Sequence, residues 1–149
     1  MNDLRELYQE VIIDHSKHPR NFGALPLANH RKDGFNPLCG DRLTLYILEQ
    51  NGVVEEIQFE GCGCAISVAS ASLMTEVLRG KTGGEVEAIF TDFHQLMMHG
   101  HNPVLEERLG KLAVLAGVAE YPARVKCATL AWHTLKAAIA DDPTPVSTE

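Results

Sequence analysis

Positive charge is scarce in this chain: 13 lysines and arginines stand against 20 acidic residues, giving a net charge of −7 and a pI of about 5.4. A general nucleic-acid binder would carry a basic stripe, and a protein held on anionic lipid would carry a basic cluster, so both classes are disfavoured. No run of apolar residues approaches the ~18 needed to span a membrane. Residues 1–7 are charged and lack the apolar stretch of a secretory signal, so the expected location is the cytoplasm. Cysteine is sparse too, with only Cys39, Cys62, Cys64 and Cys127. In a reducing compartment such thiols serve more often as ligands or catalysts than as disulfides. What is present is ordinary for a globular domain, with 45% hydrophobic and 22% charged residues in 149. One domain over residues 1–140 is expected, followed by a polar tail, 141–149, expected to be disordered.

Residues 3–18 read as a helix. Asp3 and Glu6 form a capping-box pattern, Leu4, Leu7, Tyr8, Val11 and Ile12 an apolar stripe, and Pro19 a stop. Breakers between 20 and 38 leave an irregular stretch, and because two strands alone are marginal, a third strand of weak pattern is expected within residues 24–38. Residues 42–50 and 53–59 read as strands joined by Asn51-Gly52, a strong two-residue hairpin signal. A helix of small residues is expected over 65–79, ended by Gly80. Thr82 and Glu85 cap a helix running to about Met98. Gly100, Pro103, Gly110 and Gly117 break the next stretch, and Pro122 opens a last helix to about residue 140. The fold class is α+β: a small antiparallel sheet with helices packed on one face.

The cysteines fall at places that chain geometry brings together. Cys39 and Asp41 lie two apart in a loop shaped by Pro37 and Gly40, where one turn aims both at a single point. Cys62 and Cys64 follow the return strand of the hairpin, and antiparallel pairing carries them back to Cys39 and Asp41, at one end of the sheet. Cys64 immediately precedes a helix, and Cys127 lies near the start of the last one. Helix N-termini favour thiolate over thiol. Three thiolates and a carboxylate suit a borderline-soft ion such as zinc, or iron in a sulfide cluster. With a divalent ion the formal charge would be −2, and Arg42, Arg124 and Lys126 are available to offset it. The competing reading makes these cysteines small buried hydrophobes. The glycines flanking Cys39, Cys62 and Cys64 count against it.

Three motifs, Asn36-Pro-Leu-Cys-Gly-Asp41, Gly61-Cys-Gly-Cys-Ala-Ile-Ser67 and Pro122-Ala-Arg-Val-Lys-Cys127, together with Asp14-His-Ser-Lys-His-Pro-Arg-Asn21, resemble the IscU/SufU family of iron–sulfur cluster assembly proteins. The resemblance runs from residue 4 to about 139. Lys126, where IscU-type proteins have a histidine, and the segment 80–103 are similar to the SufU branch. The resemblance implies zinc held by Cys39, Asp41, Cys64 and Cys127, with Cys39 as the acceptor of persulfide sulfur and Arg124 beside it. It implies a cysteine desulfurase of the SufS type as partner, with downstream iron–sulfur assembly or acceptor proteins beyond it. The alternative within the family is a scaffold on which a transient 2Fe–2S cluster is built and passed on. Cys62 and Cys64 each fit one branch, so either can be the ligand and the other a thiol that relays sulfur. The position of Cys64 beside a helix favours it.

Other polar residues carry less. His94, His99 and His101 read as solvated, and His133 as facing solvent. His15 and His18 read as structural or partner-facing, and Trp132, Leu73 and Met74 as packing.

Overall fold

Alternation along residues 41–50 buries Leu43, Leu45 and Ile47 on one side and leaves Arg42, Thr44 and Tyr46 on the other. This is the central strand of the sheet. The computed structural model describes residues 3–143 and 145–148, with side chains from Glu6 onward. Helix α1 spans Asp3–Lys17 and is followed by β1 (His30–Asn36), β2 (Asp41–Gln50) and β3 (Val53–Cys62). Then come α2 (Ala65–Leu78), α3 (Gly83–His99), α4 (Pro103–Leu109), a 3-10 helix (Gly110–Glu120), α5 (Pro122–Ile139) and β4 (Val146–Ser147).

The sheet order is β3-β2-β1-β4, with β1, β2 and β3 antiparallel and β4 parallel to β1. The expected antiparallel sheet is therefore mixed at its edge. The added strand is only two residues long and lies in the segment read as a polar tail; the backbone N–H of Thr148 donates to the Phe35 carbonyl there. Asn51 and Gly52 take φ of 55° and 77°, the pair of left-handed residues that a tight hairpin between right-twisted strands requires.

Helices cover one face of the sheet, where Leu45, Ile47, Ile57 and Phe59 meet Leu73 and Leu78 of α2 and Leu130 and Leu135 of α5 in one core. Trp132 lies in it, its ring 4.5 Å from that of Phe93 and its indole N–H donating to Ser70 Oγ at 3.1 Å. Met74 and Leu73 are fully buried, as their apolar pattern implies.

Three local readings change. The Asp3 cap and Leu4 lie outside the described side chains, and Leu7, placed in the apolar stripe, is 52% exposed. The buried face of α1 runs instead through Tyr8, Val11 and Ile12 to His15, whose ring bonds Ser72 on α2. The stretch after Gly100, read as broken, is helical. Asn102 accepts from the N–H groups of Val104 and Leu105, Pro103 occupies the first turn, and Leu105, Leu109, Leu112 and Leu115 are buried. His133 is half-buried between the rings of Phe90 and His94.

Candidate metal and sulfur site

The hairpin between β1 and β2 pairs Asn36 with Asp41, so Pro37, Leu38, Cys39 and Gly40 form its loop. Gly40 takes φ of 71°, a left-handed turn that suits glycine and presents Cys39 next to Asp41. Asp41 is wholly buried. A buried carboxylate needs donors, and it has two. Asn36 Nδ2 donates to Oδ2 at 3.0 Å, and the backbone N–H of Cys64 donates to Oδ1 at 2.8 Å. Cys64 is the N-cap of α2 and adds no side-chain cap, so an orphan N–H of that helix end is satisfied by Asp41 itself. The register of β3 on β2 makes this possible: Cys62 lies opposite Arg42, and the chain then turns through Gly63 across Asp41.

Helix α5 supplies the last part. Pro122 starts it, and Cys127 on its second turn is fully buried. Its Sγ lies 3.2 Å from that of Cys39 and 3.5 Å from Asn36 Nδ2. Strand and helix can approach this closely because β1 carries glycine at position 34. A Cβ there would stand 2.1 Å from Thr134 Oγ1. Burial pushes the Cys127 thiol up from its ordinary range, and hydrogen bonds with Cys39, Asp41 and Cys64 add to that.

Cys39, Asp41 and Cys127 bring their ligand atoms within 4.8 Å of one another. Around a tetrahedral zinc with thiolates, neighbouring ligand sulfurs stand roughly 3.7 Å apart. The triad fits such an ion with little movement, and two sulfurs and one oxygen are a suitable donor set. Cys64 is outside that tight group; its backbone N–H donates to Asp41 Oδ1, and its thiol is among the groups that push the Cys127 thiol up.

Arg124, one turn before Cys127, places Nη1 3.8 Å from Cys39 Sγ. The hydrogen bond to Cys127, and then the charges of Cys64, Cys127 and Cys39, raise its pKa above the ordinary arginine value, so it stays a cation at the mouth of the site. Arg42 does not share this role. It projects from the other face of the sheet, its guanidinium 5.5 Å from the Phe35 ring centroid. Cys62 lies directly across from Arg42 and is exposed, so it shares that outer face, away from Asp41. The rim of the site is apolar and open, with Leu38 63% and Tyr121 55% exposed. Sequence reasoning missed the part played by Asn36. Its signal was a polar residue on the inward side of a strand beside Cys39.

The family profile of the NifU-like N terminal domain matches residues 7–128. The zinc-dependent sulfurtransferase SufU of Bacillus subtilis is 43% identical over 143 residues, covering 94% of each chain. The iron–sulfur cluster assembly scaffold protein IscU of Streptococcus pyogenes is 41% identical, covering 93% of this chain and 86% of that one. A crystal structure from Fervidobacterium islandicum, proposed to be an iron–sulfur cluster assembly scaffold protein for the SUF system, superposes with a TM-score of 0.82 at 36% identity. It covers 91% of this chain and 98% of its own. With the fold, the motifs and the thiol–carboxylate cluster all in agreement, this chain belongs to the NifU-like N-terminal domain family, that of the IscU and SufU iron–sulfur cluster assembly proteins.

Proposed function

We propose that this protein accepts sulfur from the persulfide of a cysteine desulfurase onto Cys39, at a zinc site formed by Cys39, Asp41, Cys64 and Cys127. The observation that carries the reading is the unequal exposure of the cluster. Asp41 and Cys127 are fully buried, whereas Cys39 sits half-exposed in the β1–β2 loop beside an open apolar rim. A partner can reach only one of the three. The relative named a zinc-dependent sulfurtransferase supports the choice of metal and reaction.

A bound zinc ion would keep its thiol ligands deprotonated at neutral pH. Everything else falls to this chain. The Cys39 thiolate attacks the outer sulfur of the partner's persulfide. The new S–S bond joins Cys39 to that sulfur, the partner's own S–S bond breaks, and the partner's cysteine leaves as a thiolate that takes up a proton. No oxidant or reductant is consumed. The Arg124 cation, 3.8 Å from Cys39 Sγ, stabilises negative charge at the attacking sulfur and then at the persulfide. Leu38 and Tyr121 offer the partner an apolar seat around the loop and help to exclude water. No described helix is long and apolar enough to cross a membrane, and the cytoplasm, where thiols stay reduced, is the proposed place of work.

The scaffold function is the second reading, favoured by the IscU relative and by a donor set that also fits iron. Asp41 would make a cluster weakly held, because a carboxylate is a harder ligand than thiolate. The test is desulfurase turnover with this protein present, wild type against Cys39→Ala, alongside metal analysis. Stoichiometric colourless zinc and stimulation lost in Cys39→Ala are expected. Unchanged stimulation by the variant would remove Cys39 from its role. A brown chromophore that activates an acceptor enzyme would favour the scaffold.

A further inference from the structure

Asn36 is fully buried at the end of β1 and is neither a ligand nor a nucleophile. Its side-chain amide carries two N–H donors on one nitrogen. That nitrogen lies 3.0 Å from Asp41 Oδ2 and 3.5 Å from Cys127 Sγ, so one group spans two of the three clustered ligands. The other end of the amide is treated differently. Asn36 Oδ1 is buried and has no hydrogen-bond partner among the described residues. A buried orphan acceptor in a native protein calls for an explanation, because an apolar residue of similar shape would leave none. The explanation here is on the donor side: the amide is kept for what its nitrogen holds.

The support given to the three ligands is unequal. Asp41 is gripped at both oxygens, by Asn36 and by the Cys64 N–H. Cys127 is fixed by α5 and by the same Asn36 nitrogen. The Asn36 nitrogen bonds Asp41 and Cys127, whereas Cys39 rests on a loop through a left-handed Gly40, with its Sγ 3.2 Å from that of Cys127 and 3.8 Å from Arg124 Nη1. We infer that Asn36 is a positioning residue that holds Asp41 and Cys127 in their ligand places with a single amide. This rests on the reading that the site holds a metal. Donors to ligand atoms ordinarily change metal affinity by about 10- to 100-fold. By dispersing charge on a carboxylate and a thiolate at once, the Asn36 amide also makes a site of net negative charge easier to assemble.

The experiment titrates the full-length wild type and Asn36→Leu with cobalt(II), followed by thiolate-to-cobalt absorption, and repeats it with zinc against a chromophoric chelator. The expected result is cobalt and zinc affinity lowered about 10- to 100-fold in Asn36→Leu. The visible cobalt bands should shift, and the metal-free protein should stay folded but melt below wild type, because buried Asp41 has lost one of its two donors. A folded Asn36→Leu whose affinity and cobalt spectrum match wild type would overturn the inference, while leaving the metal site itself in place. A wild type that binds neither ion would remove both. Should Asn36→Leu fail to fold, nitrogen-15 spectra of the wild type decide. Side-chain amide protons of Asn36 that are protected from exchange and shift on zinc addition support the inference. Protons that exchange as fast as those of exposed asparagines and ignore zinc refute it.

Discussion

A methyl group on Gly63 would stand 2.3 Å from Asp41 Oδ1 and 3.0 Å from its Cα. The chain passes so close over the carboxylate that the next residue, Cys64, can donate its N–H to it. Gly63 also has φ of 154°, which L side chains rarely adopt. Gly63→Ala therefore meets both strain and a clash with backbone, and must push α2 away from Asp41. The expected cost is about 1–3 kcal/mol of stability. The Cys64–Asp41 bond should weaken with it. Thermal melting and zinc stoichiometry check the two effects, and an unaltered melt would show that the turn relaxes freely.

Gly34 makes the same kind of contact at the far side of the site. Its absent Cβ would meet Thr134 Oγ1 at 2.1 Å and Leu130 Cδ1 at 3.2 Å. Gly34→Ala should lift β1 from α5 and cost about 1–3 kcal/mol. It should also part Asn36 from Cys127. Since the worst clash is with one hydroxyl, Thr134→Ala in the same chain should recover part of the loss. A double-mutant cycle by denaturant unfolding measures that coupling, and strict additivity would sink this account.

These contacts explain what the sequence showed and what it hid. Strands 42–50 and 53–59 were legible because their inner face is apolar and their turn is Asn-Gly. The Thr82–Glu85 capping box appears as read, with both reciprocal bonds formed. The first strand, β1, had a weak pattern for a physical reason. Its inward positions are His30, Lys32, Gly34 and Asn36, none of them a hydrophobe. They meet Glu49, the Asp142 carbonyl, α5 and the site instead. A strand selected for such contacts does not alternate apolar with polar. The convergence of Cys39 and Asp41 with the chain around Cys64 followed from hairpin pairing alone. Arg42 was misassigned to the site because adjacency to Asp41 in sequence means the opposite face in a strand. The helix at 103–109 was hidden by its glycines and prolines, which mark its ends rather than its absence.

Two histidines give the fold a dependence on pH. Burial lowers the pKa of His15, helped by the Arg20 cation, and burial with the neighbouring His94 lowers that of His133. Both are thus held neutral in the fold below the ordinary value of 6.5. The unfolded chain then binds more protons, so stability rises with pH up to that value and falls as pH drops below it. The metal-free, reduced protein should melt at progressively lower temperature as pH is taken from neutral to acid below 6.5. His15→Gln with His133→Gln should flatten that slope while lowering the plateau, because the His15–Ser72 bond of 2.7 Å is lost. An equal slope in both proteins would assign the dependence elsewhere.

The two neighbouring thiols, Cys62 and Cys64, should behave oppositely. Cys62 pairs across the sheet with Arg42 and is exposed on the outer face, whereas Cys64 caps α2 with its backbone on Asp41. One residue separates them, but the strand ends between them and the chain turns inward at Gly63. Cys62→Ser should leave cobalt and zinc affinity at the wild-type value and leave desulfurase stimulation intact. Cys64→Ser removes the candidate fourth ligand, and affinity should fall by at least roughly tenfold. Because serine keeps the backbone N–H, the Asp41 contact survives and the apo protein should melt close to wild type. Cobalt absorption separates the cases directly, since charge-transfer intensity scales with the number of bound thiolates. A Cys62→Ser protein that lost a thiolate from the metal would show that the β3 end rearranges on binding, and that Cys62 rather than Cys64 completes the site.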